Sequence, residues 1–459
     1  MSESSQFLKA SEKKAFDLAH RKTIQFNMGR YQTAVNIGKS IYLNEDLARH
    51  RASYIKTQAI ENLDKYLLEF EANFTKNGGK VIWARDATEA LAEIWKIFQK
   101  KNAKSVVKSK TMVSEEIGLN EFLEHNGIEV VETDLGEYIV QLAGEKPYHI
   151  VTPAMHKSRK DIAELFQQKL KIDYTEDPQE LTLTARRLLR NKYLQAEIGI
   201  SGANFLLADV GGIAITENEG NARLSTTFPK THIALVGIEK ILPSINDLDL
   251  FWPLLATSGT GQQVTVYNSI ITGPKKSEET DGPEEMYVIL IDNGRTDILA
   301  DPEKRQSLNC IRCGACLNAC PVYKTIGGHT YHSAYSGPIG SVITPHLRDF
   351  EEFKHMSYSS SLCGACTSVC PVKIDIHNLL LYNRKTAVDR GLTLSSEKFA
   401  FSMWKKGMLN RKTLNMTGGT IKNLALASLF KHAWGNRRNL PKVAPKSFNV
   451  MWREKHGLK

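Results

Sequence analysis

The chain has 459 residues, of which 42% are hydrophobic and 24% charged, and its formal net charge is +10. This composition is that of a globular protein and excludes disordered, collagen-like and coiled-coil chains, while the length allows about two or three domains. No run of about 18 apolar residues predicts a membrane-spanning helix, and the polar start predicts no secretory signal. We therefore expect a cytoplasmic protein whose seven cysteines are metal or redox ligands rather than disulfides.

The chain is expected to contain four segments. Residues 1–54 are polar and mixed and predict an N-terminal helical arm, whereas residues 55–295 alternate short apolar runs with helical patterns. That alternation predicts an α/β domain with a mostly parallel sheet. Residues 296–395 hold every cysteine and residues 396–459 form a basic C-terminal segment.

Individual elements of the α/β domain follow from the same patterns. The predicted strands cover residues 80–84, 105–107, 128–132, 148–152, 205–209, 213–216, 233–236, 263–268 and 287–291. The predicted helices run from about 56 to 77 and over 87–99, 115–125, 161–170 and 181–198. Ser114 is the expected N-cap of the third helix, because a serine hydroxyl can accept a hydrogen bond from the first turn.

The cysteines form two motifs, C-x2-C-x2-C-x3-C-P over 310–321 and C-x2-C-x3-C-P over 363–371. Such loops bring thiolates to one face of a four-iron cluster, and the cysteine before the proline ligates the other cluster. We therefore expect two [4Fe-4S] clusters. The ligands of cluster one would be Cys310, Cys313, Cys316 and Cys370, and those of cluster two would be Cys320, Cys363 and Cys366. Zinc sites favour groups of four cysteines, and a disulfide framework does not explain an odd number.

One ligand of cluster two is missing from the sequence. A complete second motif would have a cysteine at position 360, where the chain has Ser360. Ser360, His355, His377, water, substrate or a partner subunit could hold the fourth iron, which could also bind substrate; without it the cluster would be [3Fe-4S]. Between the motifs, His329 and His332 are candidate proton carriers or ligands, although such histidines are more often ordinary loop groups.

Several stretches resemble the lactate-utilisation protein B family. They are residues 105–119, 133–137, 208–224, Tyr335-Ser-Gly-Pro-Ile-Gly340, 362–371 and 440–448. The resemblance implies the iron–sulfur subunit of a three-gene system that oxidises L-lactate to pyruvate. Its partners would be a cysteine-rich-domain subunit and a second lactate-utilisation-domain subunit.

The same resemblance implies the fold of both regions. The α/β domain would be like sugar isomerases and coenzyme A transferases, and the cysteine region would be an all-α helical dicluster ferredoxin followed by a basic helical tail. That ferredoxin resembles the one in the iron–sulfur subunit of succinate dehydrogenase, in which the second site has three cysteines and a three-iron cluster. A [3Fe-4S] cluster therefore remains an alternative for cluster two.

The resemblance also indicates a candidate site at residues 209–221. Gly211 and Gly212 would let the backbone approach an anionic ligand, and Glu217 could act as a base or nucleophile, as carboxylates do in related transferases. The alternative is a glycine-rich hairpin with solvated acids. Residues 258–263 contain G-x-G without the rest of a dinucleotide fingerprint, so no nicotinamide or ATP site is expected. The function is thus electron transfer or, alternatively, a substrate-binding oxidoreductase acting at the three-cysteine cluster or at Glu217.

The positive charge belongs to the C-terminal segment. Residues 401–459 contain 13 Lys and Arg against one acid, a charge of +12, which leaves −2 for residues 1–400. The pattern over 421–432 predicts an amphipathic helix. The segment is expected to present a solvated face, to dock an acidic partner subunit or to attach peripherally to anionic lipid at the inner face of the membrane. Nucleic acid is not an expected partner, and a regulatory sensor is disfavoured, because no reading module accompanies the charge.

Overall fold

A computed structural model describes residues 2–415, 418–430 and 439–458. The chain divides into a larger unit that ends at Thr386 and a smaller unit that begins at Ala387. The larger unit contains both the sheets and every cysteine. The predicted segment boundaries at 54, 295 and 395 stay predictions.

The described residues of the larger unit contain ten strands. They are β1 Lys80–Ala84, β2 Ser105–Lys108, β3 Glu129–Glu132, β4 Ile198–Gly202, β5 Phe205–Leu207, β6 Gly212–Glu217, β7 Thr231–Gly237, β8 Ile241–Leu242, β9 Tyr267–Ile271 and β10 Glu285–Ile291. A six-stranded sheet has the order β1-β10-β7-β4-β2-β3, and all its pairs are parallel. A four-stranded sheet has the order β8-β5-β6-β9, in which only the β5–β8 pair is parallel. The predicted α/β fold with a mostly parallel sheet is confirmed.

Helices surround both sheets and carry the cysteine region. Those before and within the α/β region are α1 Glu3–Ala15, α2 Leu18–Lys39, α3 Glu45–Glu61, α4 Leu63–Lys76, α5 Ala87–Lys101, α6 Met112–Ile117, α7 Leu119–His125, α8 Leu135–Ala143, α9 Arg159–Leu170, α10 Pro178–Gln195, α11 Asn221–Thr227, α12 Leu248–Thr260 and α13 Arg295–Ala300. Those of the cysteine region are α14 Ala315–Ala319, α15 Tyr323–Ile326, α16 Gly337–Leu347, α17 Phe350–Phe353, α18 Ala365–Ser368 and α19 Ile376–Asp389. The cysteine region is therefore helical, as predicted.

The strand order of the large sheet indicates the edge at which a ligand would bind. Its central strands β7 and β10 are almost entirely buried, as expected for parallel strands covered on both faces. The strand order reverses between β2 and β4, since β3 lies outside β2 while β7 and β10 lie beyond β4. Ligands of open parallel sheets bind beyond the carboxyl ends of the strands at such a reversal.

The first 54 residues are part of the larger unit. Helices α1 and α2 bury Phe7, Ile24 and Met28 against the hydrophobic core. In α3, the Arg49 guanidinium donates hydrogen bonds to the carbonyl of Cys370, at 2.9 and 3.1 Å. The sequence did not predict this packing, because few positions of these polar helices are buried.

Two predicted element boundaries in the α/β region were wrong. The helix predicted over 181–198 ends at Gln195, because the chain becomes extended at Ala196 and strand β4 begins at Ile198. The helix predicted over 115–125 is two helices separated by Gly118, which adopts a φ of 69°. Ser114 lies inside α6 instead of capping a helix, and its hydroxyl accepts a hydrogen bond from Lys108.

Two predicted strands also differ. Residues 148–152 form turns rather than a strand, and the carbonyl of Tyr148 accepts a hydrogen bond from the Tyr323 hydroxyl at 2.7 Å. The strand predicted over 263–268 is shifted to β9, Tyr267–Ile271. The Asn268 side chain donates to the carbonyl of Thr265, a local bond that favours a turn over a sheet ladder there.

The smaller unit is helical over its described residues. It contains α20 Ser395–Leu409, α21 Arg411–Asn415, α22 Gly419–Ala425, a π-helical segment Leu426–Phe430 and α23 Phe448–Lys455. The predicted amphipathic helix over 421–432 is helical as far as Phe430, and residues 431 and 432 lie outside the described residues. Across the described parts of the chain, no helix is long and apolar enough to cross a membrane.

Candidate metal centres

The seven cysteines line two separate cavities. Cavity one is lined by Cys310, Cys313, Cys316 and Cys370. Cavity two is lined by Cys320, Cys363 and Cys366. The cysteine before each proline thus lies at the cavity of the other motif, so the structure brings together the two groups that the motifs predict.

The two motifs have the same backbone conformation. Arg312 precedes Cys313 and Leu362 precedes Cys363, and both adopt left-handed φ values, 60° and 53°. Gly314 and Gly364 follow with φ values of 79° and 77°. This turn allows the next amide to donate a hydrogen bond toward the cysteine sulfur, which it does at both Cys313 and Cys363.

Ser360 takes the place of Cys310 in this repeated turn. The Arg312 amide donates to the Cys310 sulfur at 3.4 Å, and the equivalent Leu362 amide donates to the Ser360 hydroxyl at 3.1 Å. Ser360 also lines cavity two. Its hydroxyl is therefore where the sulfur of a complete second motif would lie.

The two histidines predicted as alternative ligands differ in position. His377 lines cavity two, and its Nδ1 is hydrogen-bonded to the Thr367 hydroxyl at 2.8 Å. His355 does not line that cavity, and its Nδ1 is hydrogen-bonded to the carbonyl of Glu352 at 2.8 Å. Of the three candidate side chains, Ser360 and His377 border cavity two.

The chemistry of both donor sets fits bound iron–sulfur clusters. Burial raises the pKa of the Cys313 and Cys316 thiols, so that thiolates there need the compensating charge of a metal. The amide of Ile339, in the first turn of α16, donates toward the Cys316 sulfur. Cavity two offers three sulfurs, of which Cys363 is exposed. The cysteines would hold the clusters, and the amide donors would favour their reduced state.

A buried ionic network lies beside cavity one. Glu239 accepts hydrogen bonds from Arg295 at 2.6 Å and from Arg312 at 3.2 Å. Burial alone would raise the pKa of Glu239, but the two guanidinium groups hold it at about 2. Arg295 also pairs with Glu116 at 2.8 Å, and Glu116 accepts a further hydrogen bond from Tyr335 at 2.7 Å. The network therefore fixes the side chain of Arg312 at the wall of cavity one.

Two buried lysines extend the positive charge near Cys310. The Lys56 ammonium donates to the carbonyls of Glu239 and Ile241, at 2.6 and 3.2 Å, and burial lowers its pKa to about 7. Burial also lowers the pKa of Lys240, to about 8. No sequence pattern indicates the two lysines; the only signal in this region is Arg312, which lies inside the first cysteine motif.

A third cavity, which we call the sheet-edge cavity, lies at the reversal of the strand order. Its volume is about 350 Å³. Its lining includes the residues that follow β2 and β4, namely 109–113 and 202–204, together with the carboxyl end of β7. This is the position at which open parallel sheets bind ligands.

Glu217 lies in the sheet-edge cavity together with Glu219. The Glu217 carboxylate accepts hydrogen bonds from the amides of Ala222 and Arg223, at 2.7 and 2.9 Å, although burial still raises its pKa. Burial and Asp134 raise the pKa of Glu219 to about 7. The predicted role of Glu217 as base or nucleophile stays a prediction.

The glycines of the predicted sites have packing roles. Gly211 and Gly212 do not line the cavity; a Cβ on Gly211 would lie 2.3 Å from the amide nitrogen of Phe74 in α4. In residues 258–263, Gly259 lies within α12 and lines the cavity, and a Cβ there would lie 3.0 Å from the carbonyl oxygen of Cys313. These positions are glycine because neighbouring backbone approaches them closely.

His329 lies with other aromatic side chains away from both cysteine cavities. Its ring centroid is 4.8 Å from that of His156 and 5.0 Å from that of Tyr148. Ligand atoms of Glu145, His156 and His329 lie within 4.8 Å of one another. His332 is not part of this group.

Comparison with known proteins identifies both regions. A family model for the LUD domain matches residues 67–291, and one for the 4Fe-4S dicluster domain matches residues 306–374. The uncharacterized electron transport protein YkgF of Escherichia coli K12 is 43% identical over 423 residues, which cover 89% of this chain and 88% of that protein. Lactate utilization protein B of Bacillus subtilis 168 is 48% identical over 361 residues, which cover 78% of this chain and 75% of that protein.

Proposed function

Because the chain belongs to the lactate utilization protein B family, we propose that it is the iron–sulfur electron-transfer subunit of a system that oxidises L-lactate to pyruvate. The observation that carries this proposal is that the seven cysteines line two cavities, each of which contains cysteines from both motifs. A similar protein in Escherichia coli is named as an electron transport protein, which supports the same role.

Each cavity would hold one cluster. Cys310, Cys313, Cys316 and Cys370 would bind a [4Fe-4S] cluster, and Cys320, Cys363 and Cys366 would bind a second one with Ser360 as its fourth ligand. When bound, these clusters accept and release electrons singly. The alternative for the second site is a [3Fe-4S] cluster, which needs no fourth ligand.

The two cavities differ in solvent exposure, and this difference indicates where a partner subunit would exchange electrons with a cluster. Three cysteines of cavity one are buried, whereas Cys363 at cavity two is exposed. Cavity two is thus the site at which a partner subunit can approach a cluster. The expected partners are the cysteine-rich-domain subunit and the second lactate-utilisation-domain subunit.

The test is reduction of the clusters by L-lactate, followed by electron paramagnetic resonance under anaerobic conditions. We expect reduction when both partner subunits are present, and none with the chain alone or with D-lactate as the control. If the isolated chain were reduced by L-lactate, the chain itself would be the oxidoreductase, and the alternative function at cluster two or at Glu217 would replace the proposal.

A further inference from the structure

We propose that the sheet-edge cavity binds a planar organic electron carrier of the quinone or flavin class, with a ring carbonyl oxygen bound by Lys240 and Arg312. The inference rests on the proposed function, because it requires a cluster in cavity one with which the carrier exchanges electrons. It adds a small-molecule binding site to a chain that would otherwise only relay electrons between proteins.

The sheet-edge cavity adjoins cavity one. Ile150, Arg312 and Cys313 line both cavities, so a single layer of residues separates them. Gly259 of α12 faces the Cys313 carbonyl without a side chain between them. A ligand in the sheet-edge cavity would therefore be separated from a cluster in cavity one by that single layer.

Two cationic side chains, Arg312 at the shared wall and Lys240 in the sheet-edge cavity, offer donors to a ligand. The Nη1 atom of Arg312 is buried and has no hydrogen-bond partner. Lys240 is only 8% exposed and lines the cavity, and within the described residues no hydrogen bond engages its ammonium group. A buried donor without an acceptor is destabilising, so this end of the cavity is suited to an oxygen that carries partial or full negative charge.

The size of the cavity and its other walls favour a ring over a small acid. At about 30 Å³ per water molecule, the 350 Å³ of this cavity would hold about a dozen waters, so a six-atom hydroxy acid would leave more than half of it empty. Apolar side chains form part of the wall, from Met112, Ile215, Leu235 and Leu255. Polar and charged side chains share this wall, among them Asp134, Glu217 and Glu219. Sites that bind cofactors combine apolar walls with polar groups that orient the ligand.

The chemistry of the relay gives such a carrier a use. A two-electron-reduced quinone or flavin releases two electrons one at a time and two protons to water. L-lactate oxidation in the partner subunits would supply the two electrons and two protons that reduce the carrier, and the cysteines of the two cavities would hold the clusters that accept the electrons singly. A carrier of this class therefore joins a two-electron oxidation to one-electron clusters.

The test uses the full chain with its clusters, prepared anaerobically, and the probes are FMN, menadione and the small 2-oxo acid analogue oxamate. Calorimetry measures binding, and electron paramagnetic resonance records both clusters with and without the probe. We expect saturable binding of FMN or menadione that shifts the signal of cluster one and leaves that of cluster two unchanged. Tighter binding of FMN would assign a flavin, and tighter binding of menadione would assign a quinone.

Two variants test the site itself. Lys240→Met should weaken binding at least tenfold, since it removes a buried charged donor. The matched control is Lys230→Met, at the opposite end of β7, where the side chain is 80% exposed; its affinity should stay within twofold of the parent. Ala203→Phe should narrow the cavity and weaken binding of a ring compound while the iron content is retained.

Three results would overturn the inference: no binding of either ring compound to cluster-loaded protein, binding of oxamate alone, or equal affinities in Lys240→Met and the parent. Each of these would leave the electron-transfer role intact, because the iron content and lactate-dependent reduction are measured separately. A chain without iron–sulfur clusters would instead overturn the proposed function.

Discussion

The two cysteine motifs share one backbone design and differ in their surroundings. Both have a left-handed residue before Cys313 or Cys363 and a left-handed glycine after it. Cavity one has four cysteines and adjoins a buried ionic network, whereas cavity two has three cysteines, a serine in the fourth position and the exposed Cys363. The comparison shows that the turn determines the position of each cysteine or serine ligand atom. The neighbouring elements determine how exposed that atom is and which charges surround it.

This difference has consequences for the bound clusters. Positive charge around cavity one would favour the reduced state of a cluster bound there, and burial would protect that cluster from solvent. The incomplete ligand set and exposure of cavity two would make the fourth iron of a cluster bound there the one that is most easily lost. The four predictions below change one side of this comparison at a time.

The largest effect is expected from the cysteines that precede the prolines. Cys370→Ala, in the second motif, should eliminate the signal of cluster one, and Cys320→Ala, in the first motif, should eliminate that of cluster two. Each substitution removes a ligand of the cluster whose other cysteines lie in the opposite motif. Electron paramagnetic resonance with iron and sulfide assays measures both. If each variant lost the cluster of its own motif, the pairing of the cavities would be contradicted.

Completing the second motif should have the next largest effect. Ser360→Cys should bind about eight irons in an oxygen-stable form, because its sulfur would lie where the Ser360 hydroxyl now does. Brief exposure of the parent to air should remove about one iron per chain and produce a three-iron signal. Ser360→Ala is the control and should show that three-iron signal without exposure. An unchanged iron content and oxygen sensitivity in Ser360→Cys would show that another group holds the fourth iron.

Breaking the ionic network should change the reduction potential of cluster one but not that of cluster two. Glu239→Gln removes the carboxylate shared by Arg295 and Arg312, and breaking a buried pair costs about 3 kcal/mol of unfolding free energy. The thermal midpoint should fall, and the reduction potential of cluster one should rise because a nearby buried negative charge is gone. Glu164→Gln, whose side chain is 48% exposed, is the matched control and should change stability by less than about 0.5 kcal/mol. Equal shifts of both cluster potentials would contradict the local role of the network.

The smallest effect on the clusters is expected from removing the C-terminal helices. A chain truncated before Ser395 should keep its iron and its cluster signals, because every cysteine lies in the larger unit. If the basic segment docks an acidic partner subunit, the truncated chain should fail to co-purify with its partners at low salt. Unchanged association would assign the partner contact to the larger unit.

The sequence predicted the parts of the site that depend on local spacing. The C-x2-C and C-P spacings fix which cysteines share a turn, so the division between two cavities could be inferred before the structure. The parallel sheet also followed, because runs such as 287–291 contain no charged residue. These are short-range patterns, and a single chain displays them directly.

What the sequence could not predict depends on contacts between distant segments. Lys240 and Arg295 look like ordinary surface residues, yet both are buried by residues far along the chain. Glu217 was found only through the resemblance, and the sheet-edge cavity around it combines loops from several strands with the first cysteine motif. The register of β9 was missed because local side-chain bonds in 261–266 outweigh the strand propensity of Val264 and Val266.

The central claim is that this chain carries two iron–sulfur clusters, one buried and complete and the other exposed and lacking a cysteine ligand. Iron and sulfide assays with electron paramagnetic resonance of the dithionite-reduced protein, purified without oxygen, test it most directly. We expect about seven to eight irons per chain and two clusters, of which only cluster two changes on brief exposure to air. A single cluster, bound zinc, or two clusters of equal oxygen stability would contradict it.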